Sequence, residues 1–331
     1  PAMSRRVKES LYRRQSQQDS VLPGEEGRVL LTPPRNITVR EIRHTLRYQY
    51  GRSWPRKIRI LLIIGSLRDV EQLTPKLTQE LWQEDQGTLL LWGGDPGAAV
   101  DNAWFTALRK LRYRPADGMV WVTSGFDGVL TTMNRTKPRL TPDEMDSVSH
   151  SLKLRYEALG WKLPLYVWSL YEGGNEKNGR ITQPVGCLLP AGCTPQIVAE
   201  QFTALASLLL EQGIQQICGQ PQHNFLLALA DQLTREAEAV VEPLSILLNP
   251  YRPLPLAGVV FSEASVEAGR SVRHRWGRDN RWETIPDSVL WLPAGLRPRK
   301  QGVNWMRGMS VAAAALMLLW AASMTVSFIA N

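Results

Sequence analysis

Cysteine is scarce in this sequence: three in 331 residues, Cys187, Cys193 and Cys218. Three cannot build a disulfide framework. Cys187 and Cys193 lack Cys-x-x-Cys spacing and have no histidine nearby, which argues against zinc. Unpaired thiols fit a reducing compartment. Histidine is almost as scarce. His44, His150, His223 and His274 are scattered and suggest no nucleophile–base pair. They read as solvated or locally bonded surface residues. Charge is missing altogether from Met309 to Ala330.

That last gap carries the most information. A helix rises about 1.5 Å per residue, so this run spans about 33 Å, against about 30 Å of bilayer hydrocarbon. It reads as a transmembrane helix; a buried core helix usually runs shorter. Its C-terminal position excludes a signal peptide. Arg297, Arg299, Lys300 and Arg307 precede it, which by the positive-inside rule places 1–308 in the cytoplasm and the C-terminus toward the periplasm. The chain carries a net charge of +8, but its cations gather near the ends, including Arg5, Arg6, Lys8, Arg13 and Arg14. Such a distribution argues against a nucleic-acid binder, whose affinity would fall steeply with salt. The Pro1-Ala2 start and the stop at Asn331 suggest a piece of a longer chain; the basic Arg5–Arg14 tail reads either as the cytosolic flank of a further membrane segment upstream or as a basic disordered tail.

Hydrophobic residues make up 44% of the sequence, enough for one large domain or two small ones. Residues 1–36 read as a basic tail and a Gln-, Ser-, Gly- and Pro-rich linker. Residues 37–262 alternate apolar strands with helices, the pattern of an α/β domain with a mostly parallel sheet. Strands are expected at Ile60–Ile64, Thr88–Trp92, Met119–Thr123, Pro164–Ser169 and Leu256–Ser262. Capping boxes at Thr38–Glu41 and Thr141–Glu144 predict helix starts. Further helices are expected near Val70–Trp82, after Asp101, from Thr194 to Gly213, and from Asn224 to a stop at Pro243. Asp143, Glu144 and Asp146 read as helix N-terminal acids rather than catalytic carboxylates. Gly173–Gly179 reads as a polar loop. Residues 263–308 read as a basic, Trp-rich, irregular extension, and 309–330 as the membrane helix.

The chain is organised around Lys57–Leu73, with an unbroken apolar run at Ile60–Ile64. A buried strand ends at Gly65, and a helix begins near Asp69. Strand, glycine, loop and helix is the frame of a P-loop, Gly-x-x-x-x-Gly-Lys-Ser/Thr, whose backbone N–H groups and lysine hold phosphates. Counted from Gly65, the second glycine is Val70, the lysine is Glu71 and the hydroxyl residue is Gln72. The Glu71 carboxylate would repel a phosphate by roughly 4 kcal/mol per charge pair at about 4 Å and an effective dielectric near 20. An ordinary strand–helix turn is the simpler reading of this stretch taken alone.

Several stretches in order resemble the TssM/IcmF family of bacterial type VI secretion. They are Leu108–Pro115 with Asp117–Ser124, then Leu154–Gly160 with Leu163–Val167, then Pro255–Ser262, followed by the apolar run at 309–330. The likeness covers roughly residues 37–330. It implies a GTPase-like α/β domain with a helical extension, held in the bacterial inner membrane. Many members carry, besides the P-loop, a D-T-A-G turn and a T-K-x-D strand end. Here the first becomes Trp92-Gly93-Gly94-Asp95 and the second Ser169-Leu170-Tyr171-Glu172. The degenerate pocket positions are therefore Gly65, Val70, Glu71, Gln72, Trp92, Asp95 and Glu172, with no cofactor or metal expected. The resemblance implies a non-catalytic scaffold, a pseudo-NTPase, in a multi-copy complex with TssL, TssJ and the baseplate protein TssK. An active ATPase or GTPase with a non-standard pocket remains the alternative. Trp104, Trp121, Trp161, Trp276, Trp282 and Trp291 are candidate interface anchors, with internal packing the competing explanation.

Overall fold

Every side chain from Ile60 to Ile64 is apolar, so both faces of this strand must be covered. In the computed structural model they are. β1 (Arg59–Gly65) turns Ile60, Leu62 and Ile64 into one core and Leu61 and Ile63 into another. The structure describes residues 35–124, 140–171, 184–219, 224–235, 237–249, 251, 253–264, 274–276, 282, 284–302 and 305–330. The tail at 1–34, the Gly173–Gly179 loop, Glu172 and His223 lie outside these. Residues 35–331 form one compact unit.

The elements run α1 (Arg35–Tyr50), α2 (Trp54–Lys57), β1, α3 (Leu67–Leu73), α4 (Leu77–Glu80), β2 (Trp82–Asp85) and β3 (Thr88–Trp92). Then come α5 (Asn102–Leu108), β4 (Gly118–Thr123), α6 (Pro142–Leu159), β5 (Trp161–Lys162), β6 (Leu165–Tyr171) and β7 (Val185–Leu188). The chain continues through α7 (Pro195–Gly219), α8 (Phe225–Arg235), α9 (Ala237–Leu247), β8 (Leu256–Glu263), α10 (Thr284–Leu290), β9 (Arg299–Lys300) and α11 (Trp305–Ala330).

The fold is α/β, with a seven-stranded sheet in the order β2-β3-β1-β4-β6-β8-β7. β3, β1, β4, β6 and β8 are parallel. β2 and β7 close the two edges antiparallel. One face packs against α1, α5, α6, α7, α8 and α9; the other against α3, α4, α10, Trp276 and Trp282. β5 and β9 form a separate antiparallel pair.

The five anticipated strands are present. Three local expectations are corrected. Thr38 lies inside α1 rather than capping it, with its hydroxyl buried. No single helix spans 70–82: Pro75 interrupts it, Leu81 turns left-handed, and Trp82 starts an edge strand. Pro243 sits inside α9 rather than ending a helix. Of the six tryptophans weighed as interface anchors against internal packing, five are buried within the chain, and Trp291 alone is exposed, at 87%. The second capping box forms as expected, with Pro142 in the first turn and Gly160 left-handed at the end.

At the β2 edge, the buried Glu84 carboxylate accepts hydrogen bonds from the Tyr50 hydroxyl and, at 3.2 Å, from the Gly87 N–H. Burial raises the Glu84 carboxyl above its ordinary value. Burial, reinforced by Glu84, also pushes the Tyr50 phenol up to about 12.

α11 is one 26-residue helix. Its described side chains, Met309 to Ser323 and Thr325, are all exposed, Leu316 by 67% and Leu318 by 72%. Among the described residues, no helix is long and apolar enough to cross a membrane.

Candidate functional site

In an open parallel sheet, ligands bind beyond the carboxyl ends of the strands, where successive connections leave in opposite directions. β1 lies between β3 and β4, so that point is the end of β1. It coincides with Gly65, where a degenerate phosphate loop was expected from the sequence.

The crevice there is closed. Ser66 is the only residue between β1 and α3; its Oγ caps α3 by accepting from the Asp69 N–H at 3.1 Å. A phosphate loop needs an open run between strand and helix, and here the helix has already started. Val70, in place of the second glycine, is inside α3 and fully buried. A Cβ on Gly65 would meet Val122 O at 2.7 Å and Val70 Cγ2 at 2.9 Å. This glycine is required for close approach between β1, β4 and α3, rather than for a phosphate.

Glu71, in the lysine position, turns back on its own segment. Its carboxylate accepts from the Lys76 N–H at 2.8 Å and from the Thr78 hydroxyl, bracing the bend at Pro75. Gln72 is half-buried on α3. Asp69 is buried, and its Oδ1 accepts from the Ser124 hydroxyl at 2.7 Å, joining α3 to the end of β4.

The loop after β3 closes the other side. Gly93 N–H bonds Ile63 O at 2.7 Å, and Gly65 N–H bonds Gly94 O at 3.4 Å. A Cβ on Gly93 would meet Ile64 Cγ1 at 2.8 Å, and Gly94 has a φ of +91°. The guanidinium of Arg155, from α6, fills this loop. It donates to Gly93 O at 2.9 Å, Asp95 O at 2.6 Å and Ser151 O at 3.1 Å. Arg155 is 1% exposed, and burial lowers its pKa, opposed by nearby Asp95. Trp92 O accepts from the Trp104 indole at 2.7 Å, and Asp95 Oδ1 accepts from the Gly97 N–H at 2.7 Å.

The structure thus gathers Gly65, Val70, Trp92 and Asp95 around one point and directs Glu71 away from it. Sequence reading missed the groups that seal the point: Asp69, Ser124 and Arg155. A signal for the last existed. Arg155 interrupts the buried Leu152, Tyr156 and Leu159 stripe of α6, and a cation on such a face needs carbonyl partners.

Cavities open elsewhere among the described residues, two of them notable. One of about 420 Å³ lies between β7, β8, α7 and α10, with Leu188 and Leu208 exposed at its rim. The other, about 170 Å³, lies at the amino end of the sheet. Among the described residues, no cluster of three or more His, Cys, Asp or Glu could hold a metal ion. No family model matches this chain, and no curated protein matches it.

Proposed function

We propose that this chain is a TssM-like, non-catalytic scaffold that keeps the frame of a nucleotide-binding domain as a rigid body for protein contact. One observation carries the reading. The turn after β1 is one residue long and sealed by Val70, Asp69–Ser124 and Arg155, where a nucleotide fold would hold phosphate. A closed point at the sheet's switch position accounts for a β1–turn–helix frame without P-loop residues.

The membrane part of the proposal rests on the charge-free run 309–330 and on α11, whose described apolar side chains are all exposed. In this proposal the helix holds the α/β body at the inner membrane, residues 1–308 cytoplasmic, and the body faces the baseplate. TssL, TssJ and TssK are the partners to seek. Affinity purification of the full chain from detergent-solubilised membranes, with and without residues 309–330, tests this. The reading expects TssL and TssK to co-purify with the full chain and membrane recovery to be lost on deletion. Recovery of the full chain as a free protein, without either partner, would overturn it.

A further inference from the structure

We propose that the cavity of about 170 Å³ at the amino end of the sheet binds the head group of an anionic glycerophospholipid, beside the root of α11. This rests on the membrane reading of α11 above. The cavity walls include Leu254, Leu256 and Leu296, and its rim carries Lys162, Arg297 and Arg299. It is smaller than the ~300–1,000 Å³ that drug-sized ligands occupy.

The three rim cations are exposed, and each is tethered by a backbone carbonyl. Lys162 Nζ donates to Pro253 O at 3.1 Å, Arg297 Nε to Leu292 O at 3.3 Å and Arg299 Nη2 to Ala294 O at 3.1 Å. Among the described residues none of the three meets a carboxylate. Lys162 and Arg299 are also directly opposite each other in the β5–β9 pair. Like charges facing across two strands are destabilising. An anion shared between them removes that cost, so the pairing itself points to an anionic ligand.

The same pair delivers the chain to α11. Gln301 N–H bonds Gly160 O at 2.9 Å, Gly302 turns with a φ of +81°, and α11 starts at Trp305. The rim therefore lies within a few residues of the helix that enters the bilayer. Tyr113, 80% exposed, stands edge-on to Trp161 at 5.5 Å with Lys300 Nζ at 5.9 Å from its ring centroid. Amphipathic aromatics and cations together suit the head-group layer. Apolar walls beneath a cationic rim match a lipid, whose phosphate leads into glycerol and acyl chain, better than free phosphate or nucleic acid.

The test uses the full chain in detergent micelles, with bound lipids counted by native mass spectrometry. The proposal expects at least tenfold preference for phosphatidylglycerol over phosphatidylcholine. Each basic residue near an anionic surface is worth about fivefold in affinity, so K162Q/R297Q/R299Q abolishes the preference, while K162R/R297K/R299K keeps it. Equal retention of the two lipids, an unaffected K162Q/R297Q/R299Q variant, or complete displacement by inorganic phosphate or an oligonucleotide would overturn it. Alkaline carbonate extraction of membranes reads the underlying membrane assignment separately. Release of the chain removes the transmembrane reading itself; a retained chain without head-group preference removes only the lipid site.

Discussion

Ser124 donates its hydroxyl proton to Asp69 Oδ1 at 2.7 Å, and this bond pins the first turn of α3 to the carboxyl end of β4. Both residues are buried. The bond spans the place where a ligand of this sheet would lie, so it seals the crevice and stabilises the fold together. Replacing Ser124 by Ala leaves a buried carboxylate oxygen short of a donor and costs about 1–3 kcal/mol. Urea unfolding of S124A, D69A and the double variant measures this. A coupling energy of about 0.5–3 kcal/mol is expected; additive losses would show that the bond does not hold the seal.

Arg155 serves the other wall. Arg155→Met strands the Gly93 and Asp95 carbonyls and costs about 3 kcal/mol or more. Arg155→Lys recovers little of this, because an ammonium cannot reproduce the planar fork that reaches three carbonyls. Hydrogen exchange at Gly93 and Gly94 should quicken in both variants. Exchange unchanged from wild type would contradict the role assigned here.

Introducing the P-loop residues is not expected to create a phosphate site. V70G/E71K/Q72T supplies the glycine, lysine and hydroxyl of a phosphate loop but leaves α3 starting one residue after β1. Losing the buried Val70 side chain and the Glu71 brace costs about 2 kcal/mol or more. The variant is expected to melt lower and to show no gain in Mg-ATP or Mg-GTP affinity. A gain of tenfold or more would mean that residues, and not backbone, had closed the crevice.

Glu84 gives a pH signature of known sign. Its folded-state pKa is raised by burial, so its contribution is fully present below the unfolded value of about 4.3 and is lost as pH rises through the folded value. Glu84→Gln retains an acceptor for Tyr50 and Gly87 but carries no charge. The stability of E84Q relative to wild type should therefore grow as pH rises from about 4, then level off. Urea midpoints at several pH values check this; a constant difference would contradict it.

The central strands were legible because a parallel sheet leaves unbroken apolar runs such as Leu89–Leu91 and Val120–Val122. The edge strands were not. Trp82–Asp85 and Val185–Leu188 are four residues each, and Gln83, Glu84 and Gly186 within them hide any strand period. Trp276 and Trp282 stood in an irregular basic stretch, yet they complete the core over the second sheet face. At the crevice, residue identities at Val70 and Glu71 argued against phosphate binding after Gly65. They could not reveal the length of the turn, because Ser66 and Asp69 are also ordinary loop residues. The decisive contacts, Asp69 to Ser124 and Arg155 to Gly93, join residues 55 and 62 positions apart. Local pattern carries no information about such pairs.

Isothermal titration of the full chain with Mg-ATP and with Mg-GTP tests the closed crevice most directly. The account predicts no saturable binding up to about 1 mM, a standard binding free energy near −4 kcal/mol, for wild type and S124A alike. Micromolar affinity for either nucleotide, weakened at least tenfold by Gly65→Ala, would contradict it.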